Sequence, residues 1–110
     1  MAAIKAYTDL EQSRKLAEIL PIESADMYYS KHSLENYYSP IPLIGKYSNI
    51  RNDIPCWSLA ALLKLIPNFN MFKRTIECRI ETTNHLVDKA CEPIDAAFEM
   101  ICWLKENNKI

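Results

Sequence analysis

Four cysteines and two histidines carry most of the reactive chemistry open to this chain. The most organised stretch, DIPCWSLAALLKLIP at residues 53–67, sets Cys56 and Trp57 at the mouth of a very apolar helix. Where that helix begins decides what Cys56 can do. With Asp53 as N-cap, Pro55 falls in the first turn and Cys56 at N3, where free amides hold a thiolate and lower its pKa. With Ser58 as N-cap, Trp57 and Leu62 form a hydrophobic staple, and Cys56 lies outside the helix with an ordinary thiol. The Ser58 register satisfies two rules at once and is the one expected. A catalytic thiol also needs a base. Neither His32 nor His85 stands at a recognisable spacing from Cys56. Cys56 therefore reads as a packed structural residue, and no catalytic residue is assigned.

Cys78, His85 and Cys91 suggest zinc ligands, but six and five residues separate them and no CxxC pair is present. Structural zinc sites use closely spaced ligand pairs that share a turn. The alternative, with Cys78 facing the core from a strand and His85 in a turn, is stronger, so neither metal nor cofactor is expected. Asp88 with Glu92, and Asp95 with Glu99, fall one helical turn apart if helical. Nothing apolar surrounds them to raise a pKa, and they read as solvated surface. Gly45 is the single glycine. Phosphate-binding loops, dinucleotide fingerprints and nucleophile elbows each need several, so these are excluded.

Five of the six tyrosines fall within residues 21–54. Tyr28, Tyr29, Tyr37, Tyr38 and Tyr47 offer rigid amphipathic area of the kind used at interfaces. Lys31, Lys46 and Arg51 make the segment locally positive. Three readings stay open: tyrosines packing a long loop, a protein-binding face, or stacking platforms for single-stranded nucleic acid. Thirteen basic against fourteen acidic residues leave a net charge of −1, which argues against a bulk electrostatic grip on nucleic acid or anionic membrane. An enzyme is the weakest reading, because it needs a pocket joining His32, His85 or Cys56 to a polar partner.

The elements that must position these residues follow from spacing. Thr8-Asp9-Leu10-Glu11 reads as a capping box, with Thr8 as N-cap of a helix over 9–20 that Pro21 stops. Residues 25–31 suit a short helix or strand, and 41–44 an edge strand beside Pro42. A buried helix over 59–66 ends at Pro67-Asn68. Over 71–82 the alternation of Phe72, Ile76, Cys78 and Ile80 with charged neighbours predicts one half-buried strand. Residues 83–85 then turn the chain toward a returning strand at Leu86-Val87. Pro93 suits the first position of a last helix, with Ile94, Ala97, Phe98, Ile101 and Leu104 as its buried stripe and Asn107-Asn108 as its stop. The expectation is a single α+β domain over 1–110, about three helices on a small antiparallel sheet. At 110 residues, 49 % of them hydrophobic, the chain can bury a core without disulfides. The opening MAAIKAYTDLEQ has no signal-peptide pattern, and the longest apolar run, residues 59–63, is far short of a membrane span. The cytoplasm, with reduced thiols, is the expected compartment.

Three segments, YTDLEQSRKLAEILPIESADMYY, IPCWSLAALLKLIP and PIDAAFEMICWLKENNKI, together cover about half the chain. They resemble small uncharacterised proteins of gut anaerobic bacteria and their prophages or other mobile elements. The pairing of W-S-L-A-A-L-L with a terminal P-I-D-A-x-x-E-M-I helix carries the resemblance. It implies an accessory protein of a mobile element and brings no activity, cofactor or site residue with it. The leading functional expectation is a small non-enzymatic protein-interaction factor. The alternative is a nucleic-acid-binding accessory factor using the tyrosine-rich, locally basic segment.

Overall fold

The computed structural model describes residues 6–30, 42–45, 53–73, 78–82, 85–89 and 92–110. Among these the chain forms three α-helices and two antiparallel three-stranded sheets, an α+β architecture. Helix α1 spans Leu10–Ile19, and its capping box closes one residue later than the Thr8 motif predicts. Asp9 is the N-cap: its carboxylate accepts from the Gln12 N–H at 2.7 Å, and the Asp9 N–H donates to Gln12 Oε1 at 3.1 Å. D-x-x-Q and T-x-x-E overlap by one position, and tertiary pairing decides between them. Thr8 is drawn into the interior, its N–H donating to the Trp57 carbonyl at 2.9 Å.

A 3-10 turn at Ile22–Ser24 leads into strand β1, Met27–Tyr29, so the middle of the stretch read as a short helix or strand is strand. Strand β2, Leu43–Ile44, lies at the edge of the first sheet, where the sequence placed it. Strand β3, Ile54–Cys56, occupies the opposite edge. Pro55 has no N–H to give a ladder, and an edge strand tolerates that loss. Helix α2, Leu59–Leu65, starts in the Ser58 register: Ser58 Oγ accepts from the Ala61 N–H at 3.2 Å. Trp57 and Leu62, the two ends of the expected staple, are both completely buried in one apolar cluster. The helix ends at Leu65, with Ile66 already extended ahead of Pro67, and Asn68 then takes a left-handed φ of 41°.

The second sheet corrects the reading of 71–82 as one strand. Strands β4, Asn70–Lys73, and β5, Cys78–Glu81, pair antiparallel, with Lys73 opposite Cys78. The chain therefore reverses between them, and the sheet count rises from one to two. Partners across an antiparallel pair share a face. The register sets Met71 opposite Ile80, so Met71 shares the face of Ile80. Strand β6, Leu86–Lys89, returns as expected and brings Val87 opposite Ile80. The row Met71–Ile80–Val87 faces the core.

Helix α3, Pro93–Glu106, packs against α2 on one side and against β5 and β6 on another. Two neighbours explain why it buries more than the predicted stripe. Ala96 and Met100 join Ile94, Ala97, Ile101 and Leu104 at zero exposure, while Phe98 is only half-buried. Ile94, Met100, Ile101 and Leu104 each contribute about 1.5–3 kcal/mol of transfer free energy. The helix ends in a Schellman motif. Asn108 is left-handed at φ 55°, Lys109 N–H donates to Leu104 O at 2.7 Å, and Asn108 N–H donates to Lys105 O at 3.2 Å.

The cap register is directly testable. Asp9→Ala removes the α1 cap and should cost about 1 kcal/mol of stability. Glu11→Ala touches only the rejected box and should change stability by less than about 0.5 kcal/mol. Urea unfolding of both variants checks this, and equal losses would restore the Thr8 register.

Candidate functional site

Cys56 sits beneath residues 6–8, in a small buried polar cluster built around Thr8. The Thr8 carbonyl accepts from the Tyr29 hydroxyl at 2.8 Å and from the Cys56 thiol at 3.4 Å. Thr8 Oγ1 accepts from the Trp57 N–H at 3.2 Å and lies 2.7 Å from Ser13 Oγ. Thr8, Ser13 and Cys56 have no exposed surface, and Tyr29 has 2 %. Burial pushes the Cys56 thiol pKa up, against smaller lowering effects of its hydrogen bonds with Thr8, Ser13 and Tyr29. Burial also pushes the Tyr29 phenol up, with Cys56 adding to the rise. This is the environment of a protonated, packed thiol rather than of a nucleophile. Among the described residues the one histidine is His85, and its ring lies elsewhere, stacked face to face on Trp103 at a 4.1 Å centroid separation.

The tyrosine-rich face divides. Tyr29 is not an interface residue: its ring is in the interior and its hydroxyl is engaged by Thr8. Tyr28 is half-buried on the opposite face of β1, across from Leu43 and Pro55. Period-two alternation separates the two neighbours, so they could never have shared one surface. Gly45 stands where a Cβ would come within 3.3 Å of the Tyr28 ring, and its φ of 138° favours glycine independently. Tyr37, Tyr38, Tyr47, Lys31, Lys46, Arg51 and His32 lie outside the described residues, as does Cys91.

Beside Tyr28 the structure adds two residues that no sequence argument singled out for binding. Leu43 is 46 % exposed and Ile44 88 % exposed, adjacent on the edge strand β2. Their apolar character was visible in the sequence; their exposure was not, because a short apolar run looks the same inside or outside. Asp26, at the foot of β1, accepts from both the Ser58 N–H (2.9 Å) and the Ser58 hydroxyl (2.5 Å), tying this sheet to the start of α2.

A second feature is a hollow of about 330 Å³ between α1, α3 and the β5–β6 hairpin, lined by Lys15, His85, Phe98, Glu99, Cys102 and Glu106 among others. Burial raises the Cys102 thiol, opposed by the nearby Lys15 ammonium. Lys15 against Glu99 and Glu106 gives a mixed charge that selects no ligand class. Among the described residues no three His, Cys, Asp or Glu side chains come together to hold a metal, and no helix is long and apolar enough to cross a membrane. Compared with known proteins, the chain matches no family model, no curated protein and no solved structure.

The buried phenol and thiol make stability pH-dependent on the alkaline side. Their folded pKa values are raised, so the folded state keeps them protonated while the unfolded chain ionises them, the phenol near pH 10. Stability should be full below the ordinary thiol range. Each group that stays protonated should then cost about 1.4 kcal/mol per pH unit above its unfolded pKa. Tyr29→Phe should cost about 1 kcal/mol at neutral pH and flatten the loss above about pH 10. Urea midpoints across this range check it, and an unchanged alkaline slope in the variant would contradict the burial of an un-ionised phenol.

Proposed function

We propose that this chain is a small non-enzymatic accessory protein, of prophage or other mobile-element type, that acts in the cytoplasm by binding another protein. The observation that carries this reading is the edge strand β2, where Leu43 and Ile44 are both exposed, Leu43 on the face it shares with half-buried Tyr28 and Ile44 on the opposite face, across from Met27. Folded proteins keep edge strands short and charged when nothing docks there, because an apolar edge invites association. Leu43 beside Tyr28 on one face, with Ile44 on the other, offers an edge strand whose two sides can each take an apolar anchor of a partner, and a few such anchors supply most of the affinity of an interface. The enclosed, protonated Cys56 supports a structural role for the residue that first suggested catalysis. The nucleic-acid alternative rests on Lys31, Lys46, Arg51 and the tyrosines; of these only Tyr28 and Tyr29 are among the described residues, Tyr28 half-buried and Tyr29 enclosed.

The test is affinity capture from the native host with the wild-type chain and with a Leu43→Ser, Ile44→Lys double variant. Both positions are exposed, so the variant should keep its unfolding midpoint within about 0.5 kcal/mol. A partner of this edge should be retained by the wild type and lost at least about tenfold with the variant. Equal capture by both would defeat the reading. Retention of single-stranded DNA or RNA at low salt, falling as salt rises, would favour the alternative.

A further inference from the structure

Residues 6–8 run antiparallel to residues 57–59. Thr8 N–H donates to Trp57 O at 2.9 Å, Leu59 N–H donates to Ala6 O at 3.1 Å, and Tyr7 and Ser58 are bridge partners. None of the three residues belongs to the apolar core: Ala6 is exposed, Tyr7 half-buried, and Thr8 buried but polar. Hydrogen bonds therefore hold this segment, each contributing about 1 kcal/mol net, whereas apolar burial holds the rest of the fold. The flanking elements do not depend on it. Asp9 caps α1 through its own box with Gln12, and Ser58 caps α2 while bonded to Asp26. What lies under the segment is Cys56, whose sulfur is 3.5 Å from Thr8 Oγ1 and 3.4 Å from the Thr8 carbonyl.

We propose that residues 6–8 form a strap that opens separately from the rest of the fold, and that Cys56 is the group it shields. With the strap seated the thiol is enclosed and protonated. With the strap released, water and reagents reach Cys56 and the backbone edge at Trp57, while α1, α2 and the core stay in place. Because little apolar surface is uncovered, the opening depends only weakly on denaturant, unlike global unfolding.

The experiment is alkylation of the full chain across a urea series, with each cysteine quantified by peptide mapping and global unfolding followed by circular dichroism. Below the global transition, Cys56 labelling should vary with urea much less steeply than global unfolding does. Thr8→Val, which removes the hydroxyl contacts, should speed Cys56 labelling about tenfold. Ile101→Val, in the α3 part of the apolar core and without a hydrogen bond to residues 6–8, should lower global stability and leave the Cys56 rate unchanged. Labelling that follows the global transition, with Ile101→Val accelerating it in proportion to the stability lost, would overturn the proposal. If Thr8→Val does not fold, the comparison of the unaltered chain with Ile101→Val decides the matter alone.

Discussion

Thr8 is the point at which the N-terminal segment is fastened to the rest of the described structure. Its N–H, its carbonyl and its hydroxyl are all engaged inside the protein, by Trp57, Tyr29, Cys56 and Ser13. A buried hydroxyl or amide without a partner costs about 1–3 kcal/mol, so the cluster is closed only while Thr8 is seated, and its polar groups turn to water when it is not. That condition ties the N-terminal segment to α1, β1 and β3 at one point.

Trp57 carries that polar node into the apolar core. Its backbone serves Thr8 from both sides, its indole N–H donates to Ser24 Oγ at 2.9 Å, and its ring is fully buried. The next residue, Ser58, caps α2 and is in turn held by Asp26. Helix α2 then packs against α3, and α3 against the second sheet. The two sheets are thus not layers of one stack. The first is tied to α1 through β3, the second to α3 through β5 and β6. This arrangement leaves β2 at the periphery, where Leu43 and Ile44 meet water. The binding reading and the strap reading are therefore physically separate. One concerns apolar side chains at the edge of the first sheet, the other a hydrogen-bonded segment beside its opposite edge.

Much of this was legible in local pattern. Helical spacing, the Ser58 cap, the proline stops, Pro93 at the start of α3 and the left-handed Asn108 all follow from short-range rules about which backbone conformations these side chains permit. The α+β class follows from mixing period-3.6 and period-2 segments in a chain of this length. The failures have equally definite causes. The Asp9 and Thr8 capping boxes are equivalent within the helix, and only the distant Trp57 carbonyl chooses between them. A period-two pattern does not say where a strand folds back, so β4 and β5 looked like one element. A tyrosine says nothing about which face of its strand is covered, so Tyr29 looked like surface.

The amino-acid order by itself determined where α2 and α3 start, where α1 stops, and which chemistries the chain cannot build, since these depend on residues a few positions apart or on what is missing from the composition. Tertiary structure alone decided which polar groups meet in the interior, which tyrosine is enclosed, and that Leu43 and Ile44 face water. Those outcomes depend on contacts between residues far apart in the chain, and local sequence carries no term for what will cover a side chain once the elements have packed.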